Sequence, residues 1–325
     1  MKPYYEDGSI TLHHGDALKC ARLLPSESVQ TIITSPPYFG LRDYGEQGQM
    51  GAEGTFVEYV AAMRQLFGEL RRVLTDDGTL WLNLGDSYSS SPPGNVRGVS
   101  EKSNLSGASS DKYRATLVAG HGTKRDTSKQ GIPAKNLLGI PWRVAFALQE
   151  DGWVLRSDII WAKLSAMPES VTDRPTKSHE YLFLFAKSAR YFYDAAAIAE
   201  PVIKGSSGSR FDEGKTSTHQ AGRASTKPRE DRQMKNKRTV WPVAPVPFSG
   251  AHFAVYPPEL IRPCVLAGSR VGDTVLDPFS GSGTTGMVAT QEGRKYVGFD
   301  LNSDYLDLSL RTRFAQPVLN LGGVA

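Results

Sequence analysis

Three apolar runs of strand length, separated by two segments with helical character, crowd into the first 84 residues and leave few architectures open. Ile10-Thr11-Leu12-His13 reads as a strand that ends at Gly15-Asp16, and a short helix follows through Leu18, Ala21 and Leu24. Val29–Thr34 is a second, buried apolar run stopped by Pro36-Pro37. Phe56, Val60, Met63, Phe67, Leu70 and Leu74 recur at spacings of four and three, which predicts one long helix with a single apolar stripe. Asp77-Gly78 is expected to end it, before a strand over Thr79–Leu84. Strand, helix, strand, helix, strand is the pattern of a parallel sheet with crossover helices.

The pattern resumes twice. Pro141 is placed to open a helix through Val144 and Leu148, followed by strands over Val154–Trp161 and Tyr181–Phe185. After residue 251 come a helix opened by Pro257-Pro258, a strand at Thr274–Leu276, a helix from about Thr284, a strand at Tyr296–Phe299 and a last helix from about Ser303. No internal repeat is visible. The whole reads as α/β, one sheet with two polar insertions.

Those insertions carry the charge. The net charge is +4 overall, but Asp86–Lys135 holds eight Lys/Arg against four Asp/Glu, and Pro201–Val240 holds ten against four. The rest of the chain is therefore acidic. Long polar segments without periodicity are functional or disordered, and a basic excess suits a polyanion whose counterions are released on binding. A chain of 325 residues with 39% hydrophobic and 22% charged residues can bury a proper core, which excludes wholesale disorder. Two cysteines cannot build a disulfide framework or a four-thiolate metal site, so a reducing compartment is expected. The start has no apolar leader core and no stretch approaches a membrane span, so the chain is expected to be cytosolic.

Asp277-Pro278-Phe279-Ser280-Gly281-Ser282-Gly283-Thr284-Thr285-Gly286 lies between a predicted strand and a helix. Glycines there allow a sharp turn and let a ligand sit against main-chain N–H groups at a helix start. Asp300 ends the next strand, where a carboxylate can accept from a ribose diol. Gly281-x-Gly283-x-x-Gly286 formally matches a dinucleotide fingerprint, yet Asp277-Pro278-Phe279 intervenes where a pyrophosphate binder turns at once. No Lys follows the glycines, which excludes a P-loop. A phosphate-free cofactor carrying adenosine and an amino-acid tail fits better, and S-adenosylmethionine (AdoMet) is that molecule.

Ser35-Pro36-Pro37-Tyr38 follows directly on a strand, at the edge where open α/β sheets place ligands. The prolines fix the backbone and offer carbonyl acceptors, Ser35 adds a hydroxyl, and Tyr38 offers a ring for a flat base. The exocyclic amine of cytosine or adenine is a poor nucleophile because its lone pair is delocalised. Hydrogen bonds from its N–H groups to Ser35 Oγ and the Pro36 carbonyl draw the nitrogen toward a tetrahedral shape and aim the lone pair at a methyl donor.

With these two motifs the chain resembles the amino-group DNA methyltransferases of the β-type permuted order, which methylate cytosine N4 or adenine N6. Gly15-Asp16 is similar to the family's contact to the cofactor adenine, and Pro168-Glu169-Ser170-Val171 through Arg174 with His179-Glu180-Tyr181 to its later sheet-edge motif. Ala251-His252-Phe253-Ala254 with Pro257-Pro258-Glu259-Leu260 is similar to the element over the methionine end of the cofactor. The resemblance implies a Rossmann-like AdoMet-dependent methyltransferase fold: a seven-stranded, mostly parallel sheet with the last strand inserted antiparallel and helices on both faces. It implies a catalytic part over 1–195 with a flexible basic insertion at about 87–135, a target-recognition region over 196–250, and an AdoMet-binding part over 251–325. The site it implies has Ser35, Pro36, Pro37 and Tyr38 as catalytic residues. Asp16, Phe253, Asp277, Phe279, Gly281, Gly283, Thr284 and Asp300 would bind the cofactor, with no metal. Double-stranded DNA, with the target base flipped out, is the implied partner. The resemblance allows either a solitary enzyme or one with a cognate restriction endonuclease as partner, and implies a cytoplasmic protein, bacterial or phage-encoded, associated with the nucleoid through DNA.

Ser rather than Asp at position 35 is similar to the cytosine-N4 members more than to most adenine-N6 members, and adenine N6 stays the alternative. A carbon-5 cytosine enzyme needs a thiolate, but Cys264 lies on an apolar helix upstream of the glycine loop and reads as core, as does Cys20. His13 and His14 read as structural, Trp142, Trp153 and Trp161 as packing, and no zinc spacing is present. A non-catalytic DNA-binding module, and methylation of RNA or of a protein glutamine, are the rival functions.

Overall fold

The computed structural model describes residues 2–41, 46, 48–89, 131–166, 168–202, 234–246 and 256–315. Most of both basic insertions, and Phe253 with its neighbours 251–255, lie outside the described residues.

The strands are β1 (Tyr5–Glu6), β2 (Ile10–His14), β3 (Val29–Thr34), β4 (Leu74–Leu84), β5 (Val154–Lys163), β6 (His179–Ala186), β7 (Glu200–Pro201), β8 (Met234–Lys235), β9 (Val240–Val243), β10 (Thr274–Asp277) and β11 (Lys295–Asp300). The helices are α1 (Ala17–Leu23), α2 (Phe56–Val73), α3 (Ile140–Glu150), α4 (Pro258–Gly268), α5 (Thr284–Gln291) and α6 (Ser303–Ser309), the last running into a wide π turn at Leu310–Phe314. No described helix is long and apolar enough to cross a membrane.

The sheet order is β1-β2-β11-β10-β3-β4-β6-β5-β9. Strands β2, β11, β10, β3 and β4 run parallel, and β6 is antiparallel to both β4 and β5. The mostly parallel sheet with one inserted antiparallel strand is as expected; among the described residues its seven strands from β2 to β5 are extended at the edges by β1 and β9 to nine, and β7 pairs with β8 apart from it. The two-residue β1 pairs antiparallel on β2, and β9 pairs parallel on β5. Strand β9 falls inside the 196–250 region expected to recognise the target. Trp241 there is 4% exposed, and Trp161 Nε1 donates to the Val243 carbonyl at 2.9 Å. That part of the region is built into the sheet, because Trp241 supplies the apolar anchor that the surrounding charged sequence lacks.

The long helix forms as its stripe requires. Thr55 and Glu58 close a reciprocal capping box at its start, and Tyr59, Met63, Phe67 and Leu70 are buried. It stops at Val73, and β4 begins at once at Leu74 rather than after Gly78. The register slip between Val29 and Thr31 on β3 absorbs the extra residues as an irregularity within the strand, so Asp77-Gly78 bends the strand without interrupting it.

Alternation along β4 divides the core. Leu80 and Leu82 face a cluster with α1, α2 and α3, whereas Trp81 faces one with α4 and α5. Cys20 packs in the first cluster and Cys264 in the second. Burial pushes the Cys264 thiol far above its ordinary range, which removes it as a nucleophile. Trp153 is likewise core.

Candidate functional site

Five parallel strands present their carboxyl ends on one rim. Strand β2 gives way to Gly15-Asp16, β3 to the Ser35–Tyr38 turn, β4 to Gly85-Asp86, β10 to the glycine loop, and β11 ends on Asp300. The reversed strand β6 brings its first residues, His179 and Glu180, to that same rim. One cavity of about 1090 Å³ opens there. Asp16, Ser35, Pro36, Pro37, Tyr38, Phe279, Gly281, Thr284 and Asp300 all line it, so the two motifs, some 240 residues apart in the chain, share a single wall.

At the glycine end, Asp300 accepts from the Gly281 N–H at 2.8 Å and from the Asn302 N–H at 2.9 Å. Burial nonetheless pushes its carboxyl up to about 6. Asp16 caps α1 by accepting from the Lys19 N–H at 2.9 Å and keeps a place on the cavity wall. Gly281 takes a left-handed φ of 51° on the cavity wall.

Two expected cofactor contacts are placed otherwise. Asp277 is 1% exposed and does not line the cavity. Its oxygens accept from Thr34 Oγ1 at 2.7 Å, the Phe279 N–H at 3.0 Å, Thr285 Oγ1 at 2.7 Å and Tyr256 OH at 3.0 Å. Burial pushes its carboxyl up against all four donors. It ties the end of β3 to the glycine loop and α5, and has no acceptor capacity left to aim outward. Gly283 does not line the cavity either. A Cβ there would fall 2.8 Å from Ser309 Cβ and 2.9 Å from the Phe314 ring, at a φ of 79°. That glycine serves the packing of the last turn on the loop. Phe253 lies outside the described residues.

At the proline end, Tyr59 OH donates to the Pro37 carbonyl at 3.0 Å, so that carbonyl is engaged within the protein and only the Pro36 carbonyl of the pair stays a candidate acceptor for a ligand. Ser35 Oγ donates to Tyr38 OH at 3.3 Å, and Tyr38 OH donates to Glu180 Oε2 at 2.7 Å, with Asn83 Oδ1 at 3.1 Å. The ring edge is clamped against Gly85, where a Cβ would lie 2.6 Å from Tyr38 Cε2. Burial and the Glu180 carboxylate hold the Tyr38 phenol well above its usual range.

Several residues here were not singled out as site residues. Asn83 Nδ2 donates to Glu180 Oε2 at 3.2 Å and to the Tyr181 carbonyl at 3.0 Å, while Lys163 ion-pairs with Glu180 Oε1 and lies 4.6 Å over the Trp161 ring. Trp161, expected as packing, is buried and also lines the cavity. Lys177 donates to the Asp86 carbonyl at 2.6 Å, and burial lowers its ammonium below the usual lysine range. Arg174 pairs with Glu169 at 2.6 Å and covers the Tyr88 ring at 4.0 Å. The signal that could have found Glu180 is its position at the start of a strand that must run backwards to fit the sheet. His13 packs edge-on against Phe299, and His14 bonds the Leu301 carbonyl at 3.0 Å.

The family model for DNA methylases (N6 and N4) matches residues 29–311. A type II methyltransferase of Citrobacter freundii, M.Cfr9I, is 49% identical over 305 residues, covering 94% of this chain and 88% of its own. This chain belongs to the DNA methylase family. It is a type II DNA methyltransferase of the N4/N6 amino-methylating class. M.SmaI of Serratia marcescens is 45% identical over 295 residues, covering 91% of this chain and 87% of its own. Among solved structures, the PvuII DNA methyltransferase (cytosine-N4-specific) superposes with a TM-score of 0.64 at 19% identity, covering 98% of this chain and 90% of its own. A putative DNA modification methylase of Thermus thermophilus, complexed with S-adenosyl-L-methionine, gives 0.52 at 21% identity, with 94% of each chain covered. These DNA methylase neighbours share its Rossmann-like α/β fold.

Proposed function

We propose that this DNA methylase transfers a methyl group from AdoMet to the N4 amine of a cytosine extruded from double-stranded DNA. The observation that carries the reading is the single cavity walled by both the Ser35–Tyr38 turn and the Phe279–Thr284 loop.

The glycine end suits this cofactor. Its lining offers two carboxylates, Asp16 and Asp300, the Gly281 main chain and the hydroxyls of Ser282 and Thr284, while the lysines of the cavity wall, Lys163 and Lys177, come from the elements around the proline turn. A ligand with hydroxyl and amino donors and no phosphate matches that wall. AdoMet, when bound, supplies an electrophilic methyl on a sulfonium. Asp300 would accept from the ribose hydroxyls and Asp16 from the adenine amine, and the Phe279 ring would favour the positive sulfur by cation–π attraction.

Ser35 Oγ and the Pro36 carbonyl would accept from the two N–H groups of the target amine and fix its lone pair, while Tyr38 gives the base a face to stack on. The base must leave the duplex, since its amine is unreachable within the stack. Ser35 in place of a carboxylate, and the cytosine-N4 specificity named for the PvuII neighbour, support cytosine over adenine. The basic residues of 87–135 and of 196–250 would follow the DNA backbone, and a cognate endonuclease in the same cytoplasm would be the functional partner.

Nucleoside mass spectrometry with modified-base sequencing, on DNA from cells expressing this chain, tests the reading. N4-methylcytosine at one sequence context is expected. N6-methyladenine alone overturns the base assignment, and unmodified DNA overturns the catalytic reading in favour of a binding module.

A further inference from the structure

The hydrogen bonds around Tyr38 share one direction. Ser35 Oγ donates to Tyr38 OH, and Tyr38 OH donates to Glu180 Oε2. Ser35 therefore turns its lone pairs away from Tyr38, free to accept from a ligand in the cavity. The far end is the only carboxylate in contact with the turn among the described hydrogen bonds. It is held by Asn83 from β4, by Lys163 from β5, and by Tyr38 itself. Lys177 and Glu169, before β6, and Asp86, after β4, complete the charged surroundings.

We propose that Glu180 is the terminal proton acceptor of the methylation, reached from the target amine through Ser35 and Tyr38. This rests on the amino-methylation reading above. The amine nitrogen uses its lone pair to form the N–CH3 bond as the methyl's bond to sulfur breaks, and that bond's electron pair stays on sulfur. The nitrogen is then cationic and must lose one proton. That proton passes to Ser35 Oγ as the Ser35 proton passes to Tyr38 OH and the Tyr38 proton to Glu180 Oε2. Each oxygen gains one proton and gives one, so only the amine and Glu180 change state. Glu180 starts as the anion paired with Lys163 and ends as the neutral acid. The same anion, its side chain 13% exposed, stabilises the positive charge as it develops on the nitrogen. The Lys163 ammonium pairs with the other carboxylate oxygen, Oε1, and Glu180 itself lines the cavity, from which the proton it has taken leaves to solvent.

Single-turnover methyl transfer at saturating cofactor and DNA tests the relay in wild type, Glu180→Gln and Tyr38→Phe. Both variants keep side-chain volume, and Tyr38→Phe keeps the ring. The expected result is a fall of about 10²-fold in the single-turnover rate of each, in the range typical of general-base loss, with AdoMet and DNA dissociation constants within about two-fold. Carbon-13 tyrosine NMR of the cofactor-free protein, assigned by the resonance lost in Tyr38→Phe, should show the Tyr38 signal shifted in Glu180→Gln. Rates within about three-fold of wild type in both variants, or an unshifted Tyr38 signal in Glu180→Gln, overturn the relay. If Glu180→Gln does not fold, Tyr38→Phe alone decides, because it cuts the chain between Ser35 and Glu180. A wild-type protein that methylates no DNA instead sinks the reading on which the relay rests.

Discussion

Ser35 and Asp300 stand on the same cavity wall and are held in opposite ways. Ser35 is half-buried on a rigid proline corner with one bond to Tyr38, so its removal leaves the scaffold intact. Asp300 is locked by two main-chain donors, and its carboxyl titrates at about 6. Ser35→Ala should therefore lower kcat about 10²-fold with little change in AdoMet affinity, the size typical of losing one preorganised polar contact to the transition state. Asp300→Ala should weaken AdoMet binding about 10- to 100-fold with a smaller effect on kcat at saturation, as losing hydrogen bonds to a charged group does. Equal losses of both quantities in both variants contradict this division. The raised carboxyl also sets a pH dependence. Asp300 is the full acceptor only above about pH 6, so wild-type AdoMet affinity should fall as pH drops below that value, and should not do so in Asp300→Asn. The linkage to folding has the opposite sign. A carboxyl raised above its unfolded value of about 3.9 contributes stability that is present in acid and is lost as pH rises through about 6. The stability of cofactor-free wild type relative to Asp300→Asn should thus decline between about pH 4 and 6, measured by thermal denaturation.

Short-range signals made some elements and residues readable, and long-range pairing hid the others. The stripe from Phe56 to Leu70, the proline starts of α3 and α4 and the glycine loop ahead of α5 are local, and each is where its sequence puts it. Glu180 was not legible as a site residue, because only the pairing of β6 backwards between β4 and β5 brings it to the rim beside Asn83 of β4. Gly283 and Asp277 look like ligand contacts within their ten-residue motif. Ser309, Phe314, Thr34 and Tyr256, which claim them, come from distant segments. Gly286 shows the same logic as a prediction. A Cβ there would lie 2.5 Å from the Tyr296 ring and 2.7 Å from Phe314, and Tyr296 OH donates to Ser280 Oγ in the glycine loop at 2.9 Å. Gly286→Ala must push Tyr296 aside, at a cost of about 1–3 kcal/mol for overpacking. A lower melting temperature together with weaker AdoMet binding is expected. An unchanged melting temperature would contradict the packing role given to this glycine.

Across the whole molecule, chain order and spatial order are uncoupled. The proline turn leaves β3 and the glycine loop leaves β10, yet these strands are hydrogen-bonded neighbours through Val275–Thr31 and Leu276–Ile32. Pairing β10 beside β3 is what makes one cavity from two motifs, and Asp277 bolts the join through Thr34. Each basic insertion is closed at its base by strand pairing: Tyr88 and Leu137 bridge one just after β4, and β7 pairs with β8 at the other. The acidic remainder stays in the sheet and helices, so charge for a polyanion is concentrated on segments separate from the core. The most direct measurement is a crystal structure with S-adenosylhomocysteine and a DNA duplex containing the methylated site. The prediction is an extruded cytosine against Tyr38, its N4 within hydrogen-bond distance of Ser35 Oγ, and the cofactor sulfur in the same cavity beside Phe279. A cofactor or target base bound outside that shared cavity would contradict the account.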